Sequence, residues 1–438
     1  MKMKTLLWIV FSVFLLALVA GGVWWEMRPQ VIVLDNGDQL TLLGVTYGTH
    51  HRFPGKKLIT GAQRRPVNGG LNSTNDTLVI WVRQHYDNQS WRNFQYYAYD
   101  KAGTVCAGSS TINAGNGRRG DEVVGVQFAA FPRREGKFYV RVLENGNGDQ
   151  ELSDKRFMIR NPARGPFEKW LPDPLPDAKD DADVTVTLKK LTFGSPMPYQ
   201  QGGADQDDPL NKGVKATFHV ERNNQTANNW QPAAIFTSDA TGNQISGWPN
   251  THTEGDDLVT TYQFGLWPDE PAWKIRLEFS KISGYSDDEL WTVSNLPVQP
   301  GRQQDFWNYG RRNKSNTNSV PAETTLNGFH VKILSVQQFT DMSPNSQPQG
   351  GITIETTPSL PEGIRMTLVK LTDDQTNDIG NWNYGTSVNN GNTSYRYGLR
   401  EMNGTTNINL TLAIHKSRFF EFTVKPDKDT TTSDSNQQ

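Results

Sequence analysis

The nine residues Leu40-Thr41-Leu42-Leu43-Gly44-Val45-Thr46-Tyr47-Gly48 constrain this chain most, because their pattern comes back. Val186 to Gly194 reads Val-Thr-Leu-Lys-Lys-Leu-Thr-Phe-Gly without a gap, and Val331 to Val336 is a shorter third copy. In each copy apolar and polar residues alternate and then change phase. That suits a half-buried strand which meets a bulge or gives way to a second short strand. A chain that opens three times in this way is expected to hold three versions of one β unit.

Later landmarks keep the same order in the first two units. Trp91 stands nine residues before Asp100, and Trp230 nine before Asp239. Each aspartate opens an Asp-x-x-Gly turn, ending at Gly103 and Gly242. The carboxylate caps such a turn and the glycine accepts positive φ. Phe131-Pro132 then matches Trp267-Pro268, and Phe138-x-Val140-Arg141-Val142 matches Trp273-x-Ile275-Arg276-Leu277. The third unit has diverged further. Leu412-x-Ile414-x-Lys416 echoes Leu277-x-Phe279-x-Lys281 and Asp373 falls at the turn position, but Ile364 stands where the tryptophan would be.

Short β-branched and aromatic runs between turn signals, with no helical period, predict an all-β fold. The expected architecture is three tandem antiparallel β-sandwich modules of immunoglobulin or fibronectin type III character, behind one N-terminal transmembrane helix. The expected boundaries are 31–161 for module 1, 183–300 for module 2 and 326–426 for module 3. Between them lie a Pro-rich linker at 162–182, in which Trp170 is expected to rest on a neighbouring module, and a polar connector at 301–325. Residues 427–438 are expected to be a disordered tail. Only 35% of residues are hydrophobic, but 13 Trp, 13 Tyr and 20 Phe supply material for several cores.

Thr5 to Trp25 is an uncharged apolar run behind Lys2 and Lys4. At ~1.5 Å per residue it spans roughly 31 Å, about one hydrocarbon core. Residues 5–25 are therefore expected to be a signal anchor, with 1–4 in the cytoplasm and the rest exported to the periplasm or cell surface. Cleavage near Ala20-Gly21-Gly22 and secretion is the alternative. A net charge of −2 indicates no nucleic-acid partner. A single cysteine, Cys106, leaves no disulfide within the chain.

No motif with catalytic chemistry stands out. Gly115-Asn116-Gly117-Arg118-Arg119-Gly120 matches a dinucleotide fingerprint, but a strand pattern from Asp121 follows where a helix is needed. Asn145 to Glu151 resembles the start of a calcium loop, yet Arg156 stands where the bidentate glutamate belongs. His50 and His51 are adjacent, so a strand would point them to opposite faces. Cys106 is expected in a small-residue turn. No catalytic residue, cofactor or metal ligand is assigned.

The remaining lead is a repeated tetrapeptide, Trp307-Asn308-Tyr309-Gly310 and Trp382-Asn383-Tyr384-Gly385. Both copies are expected in loops, where Trp307, Tyr309, Trp382 and Tyr384 would contact a protein or a glycan, or else plug the ends of the modules. The expected function is a structural or protein-interaction role in the cell envelope. A carbohydrate-binding array is the alternative, and an envelope hydrolase is the less favoured third reading.

Overall fold

The computed structural model describes residues 30–34, 37–53, 70–86, 93–108, 110–116, 121–145, 155–163, 165–196, 212–263, 265–303, 306, 322–340, 349–402 and 404–428. Strands dominate them, and nearly all pairings are antiparallel.

The first unit contains β1 (Val31–Val33), β2 (Gln39–Arg52), β3 (Gly70–His85), β4 (Asn93–Tyr99), β5 (Val105–Ala107), β6 (Ser110–Asn116), β7 (Asp121–Phe128), β8 (Lys137–Asn145) and β9 (Arg156–Arg160). They form two sheets, β1-β2-β3-β7-β6 and β5-β4-β8-β9. Leu78, Ile80 and Val82 of β3 share a buried cluster with Phe94, Tyr96 and Ala98 of β4 and Val140 and Val142 of β8. The second unit supplies β10 (Asp177–Asp181), β11 (Val184–Pro196), β12 (Lys212–Arg222), β13 (Gln225–Thr226), β14 (Trp230–Asp239), β15 (Gln244–Gly247), β16 (Asn250–Glu254), β17 (Asp257–Gln263) and β18 (Trp273–Lys281). Its first sheet runs β10-β11-β12-β17-β16, the same order as before. Phe218 of β12 meets Phe279 of β18 edge to face at 5.7 Å, so the two sheets close on each other.

The third unit follows as β19 (Leu290–Pro297), β20 (Gln299–Gly301), β21 (Ala322–Leu326), β22 (Phe329–Phe339), β23 (Gly350–Thr357), β24 (Ile364–Asp373), β25 (Asn381–Asn389), β26 (Asn392–Leu399) and β27 (Asn407–Lys416). The chain ends in β28 (Arg418–Val424) and β29 (Asp427–Lys428). The order β21-β22-β23-β26-β25 repeats once more, with β20 on the outer side of β22. It has a buried core of its own that includes Ile333, Ile354, Leu371 and Leu412.

The opening stretch behaves as its pattern requires. Register slips between Leu42 and Gly44 in β2, between Leu188 and Lys190 in β11, and between Ile333 and Ser335 in β22. One residue is extruded at the same place in all three copies: Leu43, Lys189 and Leu334. A second slip follows Gly48 in β2 and Phe193 in β11, where Gly48 and Gly194 both have positive φ. The aspartate turns also recur. Asp100 Oδ1 accepts the Ala102 and Thr104 amides, Asp239 Oδ1 those of Thr241 and Asn243, and Asp373 Oδ1 those of Gln375 and Asn377. The third copy places Thr376 at positive φ (68°) where the others have glycine.

The ends of the second and third units depart from a simple tandem. In the first unit β8 and β9 form a hairpin, Phe138 opposite Ile159. The same position beside β18 is filled by β28, Trp273 opposite Val424 and Phe279 opposite Arg418. The chain leaving β18 enters the third unit instead, where β19 lies beside β27. The short strand after each edge repeats the exchange, β29 pairing parallel with β11 and β20 parallel with β22. Each unit therefore completes its second sheet with a strand that is contiguous in sequence with the other.

The expected boundaries change accordingly. Leu290–Gly301 joins the third unit rather than module 2 or the connector, and Arg418–Lys428 joins the second rather than module 3 or the tail. The reason is the link at Ser417. One residue separates β27 from β28, whereas common hairpin loops need at least two, so β28 runs on past its own sheet. Asp177–Asp181, expected in the linker, is the edge strand β10. Cys106 sits in β5, 3% exposed, rather than in a turn. Trp170 lies half-buried with the Lys274 ammonium 4.8 Å from its ring centre. Residues 1–29 lie outside the described part, and among the described residues no helix is long and apolar enough to cross a membrane.

Candidate docking sites

Only the second tetrapeptide falls in a described element, and it is not in the loop expected of it. Trp307 and Tyr309 lie outside the described residues. Trp382 and Tyr384 belong to β25, an edge strand, and not to a loop. Trp382 is half-buried: a Cβ on Gly398 would meet its ring at 2.7 Å, and the Arg400 guanidinium sits 4.8 Å from its centre. Only a ring-sized gap, left by a glycine on the neighbouring strand, lets the indole lie flat on the sheet. Trp382 is thus part of the packing of β25 on β26.

Pattern reading passed over Trp248, which is 90% exposed. It stands between β15 and β16, where the chain crosses from one sheet to the other. The signal was legible as Gly247-Trp248-Pro249, a large aromatic flanked by two residues that break strands.

The joint between the first and second units is fixed by Arg133. Its Nε donates to Asn243 Oδ1 (2.9 Å), Nη1 to Tyr47 Oη (3.0 Å) and the Thr241 carbonyl (3.2 Å), and Nη2 to the Asp76 carbonyl (2.6 Å). Its plane lies over Phe131, 4.8 Å away. Burial pulls the guanidinium below its ordinary pKa range, partly offset by Tyr47 and Asp239. Beside it, Arg134 Nε bonds both oxygens of Glu270 at 2.9 Å. Burial raises the Glu270 pKa, and Arg134 counters part of the rise. The Asp-x-x-Gly turn of the second unit is therefore also a socket for an arginine of the first.

A cleft of about 550 Å³ opens at this joint. One wall comes from the start of β3, β5 and the segment after β7; the other comes from β14 and β15. Cys106 faces it from β5, and burial pushes its thiol pKa up to about 12, which makes it a poor nucleophile. Nearby His51 is 1% exposed, held by Thr46 Oγ1 (3.0 Å) and Thr77 Oγ1 (2.9 Å), while His50 points outward to Asn72 (2.9 Å). Burial lowers the His51 pKa and favours the neutral ring.

The joint between the second and third units is the exchanged ribbon. Arg365 of β24 forks onto Glu278 of β18, with both N···O distances 2.6 Å, and Ser417 donates to the same carboxylate. Burial alone would raise the Glu278 pKa; the fork and the hydroxyl outweigh it and hold the pKa below the usual range. His415, 2% exposed, contacts Thr367 Oγ1 at 3.2 Å and the Tyr285 ring at 5.1 Å. Lys281 and Glu289 pair beside it at 2.9 Å.

Among the described residues, no group of three or more His, Cys, Asp or Glu side chains converges as a metal site. The dinucleotide-like glycines lead into β7, a strand, and the calcium-like loop beyond Asn145 lies outside the described residues. No protein-family model matches the chain, and no curated protein matches it in sequence.

Proposed function

We propose that this is an exported, membrane-anchored cell-envelope protein whose three immunoglobulin-like modules serve a structural or protein-interaction role. Two strand orders support the immunoglobulin reading. β2-β3-β7-β6 against β5-β4-β8-β9 follows the A-B-E-D and C′-C-F-G arrangement of such sandwiches, and the second unit repeats it. The cysteine pair of antibody domains has no counterpart here, since Cys106 is alone. Residues 5–25 would be the anchor, with the modules outside the membrane.

The observation that carries the interaction role is Trp248, an almost fully exposed indole on the short link between β15 and β16. Large aromatics that are exposed on a rigid surface are typical anchors of protein contacts. Placement is tested with Val388→Cys, at a position 69% exposed, beside the inert buried Cys106. A membrane-impermeant maleimide should label it while the cytoplasmic membrane is intact; labelling only after lysis overturns the export reading. A photocrosslinking residue at Trp248 should give a discrete adduct in the envelope that the same residue at exposed Asp256 does not. Equal adducts at both positions would remove Trp248 from the proposal.

A further inference from the structure

The cleft between the first two units has the chemistry of a small-ligand site. At about 550 Å³ it falls in the size range of such sites, and it lies where they commonly occur, at a joint between modules. It is preformed, because Arg133 and the Arg134–Glu270 pair fix the two walls. Room comes from small residues: Ala107, Gly108 and Ala129 line it.

Among the described residues, none that lines it carries a formal charge, which argues against phosphates, carboxylates and ammonium ligands. What it offers instead is side-chain amide and hydroxyl groups beside a patch made by Phe236 and Ile245. Asn75 Nδ2 donates to Gln244 Oε1 across the cleft, tying one wall to the other. That contact leaves Asn75 Oδ1 as an acceptor and the Gln244 amide hydrogens as donors among the described residues. Thr74 and Ser246 add hydroxyls that can do either. Mixed donors and acceptors beside an apolar patch suit a molecule that presents hydroxyls on its edge and C–H groups on its face. We propose that the cleft binds a small uncharged saccharide, one or two rings in size. This site is separate from Trp248 and from the repeated tetrapeptides, so it stands or falls apart from the docking reading.

The test is saturation-transfer NMR on the full chain with glucose, galactose, N-acetylglucosamine, maltose and cellobiose, each at millimolar concentration, beside a capped uncharged pentapeptide. At least one sugar should receive saturation, its affinity falling at least tenfold in Gln244→Ala. Occlusion by Ala129→Phe should abolish the signal. Ser246→Phe closes the same space from an exposed position, so it reports on the cleft if Ala129→Phe fails to fold. The proposal is overturned if none of the five sugars binds, if only the peptide binds, or if sugar binding survives Ser246→Phe in a folded chain.

Discussion

The first unit and the second begin alike and finish differently. In the first, β8 and β9 are joined by residues 146–155 and close as a hairpin, so its sheet is complete within its own sequence. In the second, the segment after β18 is long enough to turn back, at residues 282–289, yet β28 occupies the edge. The difference does not lie in the strands, which alternate in the same way. It lies in one residue, Ser417, whose link is too short to let β28 return beside β27. A short hinge of this kind is a known route to exchanged strands. Here the exchange happens between two units of one chain.

Removing the exchanged strand should have the largest effect. A chain ending at Lys416 lacks the buried Phe420, Phe422 and Val424 of β28 and leaves β18 with an open edge. Hydrogen exchange should show β11, β12, β14 and β18 losing protection while β2, β3, β4 and β8 keep theirs. Equal loss in both units would mean that the first is not independent of the exchange. Next in size, Phe279→Ala should cost ~3–5 kcal/mol, because Phe279 is fully buried between Phe218 and Phe420. Chemical denaturation would measure it, and Phe138→Ala in β8, at the position equivalent to Trp273, should destabilise mainly the first unit.

A smaller cost is expected at the ribbon's ion pair. Arg365→Ala leaves Glu278 buried without its fork, but Arg365 is 34% exposed and water screens part of the loss. About 1–3 kcal/mol is the expected range by thermal unfolding. Arg365→Met with Glu278→Leu together should recover most of it; no recovery would show that the pair does more than fill the joint. The pH dependence is smaller again. Burial lowers the His415 pKa, so the folded chain prefers the neutral ring. Stability from this residue is complete above the unfolded pKa of ~6.5 and declines as pH falls from there toward the folded value. His415→Phe should flatten that acid slope at the second joint. An unchanged slope would assign the dependence to another group, with His51, whose pKa burial lowers in the same direction, next to be replaced. Least disruptive of all, Lys274→Cys with Thr423→Cys joins register partners of β18 and β28. The two should form a disulfide within one chain, and failure to do so at neutral stability would contradict the exchanged register.

Much of this architecture was legible in the residues. The phase change at Leu43 and Lys189 marked the bulge, and the spacing of Asp100 and Asp239 marked the turns, because both depend on local chemistry. The echo between Leu277-x-Phe279 and Leu412-x-Ile414 correctly matched β18 to β27, which occupy equivalent places in their sheets. Partner choice was not legible in the strands themselves. Arg418 to Val424 alternates identically whichever sheet receives it, and only the single-residue link tells the two arrangements apart. Trp382 was misplaced because the room for its ring comes from Gly398, its partner across the β25–β26 hairpin, and strand pairing is not written in the order of residues. The cleft was invisible for the same reason: its walls are brought together by Arg133 and Asn243, about 110 residues apart.

The exchange also sets a timetable for synthesis. Partners in β8 and β9 are separated by about 20 residues, so the first sheet can close soon after it leaves the ribosome. Trp273 and Val424 are about 150 residues apart, and the second unit must wait through translation of the entire third. During that wait β18 is an uncovered edge, open to any extended strand nearby. At the elongation rates typical of cells, ~5–20 residues per second, the exposure lasts on the order of ten seconds. Whatever shields β18 over that interval would decide how much of the protein is made correctly.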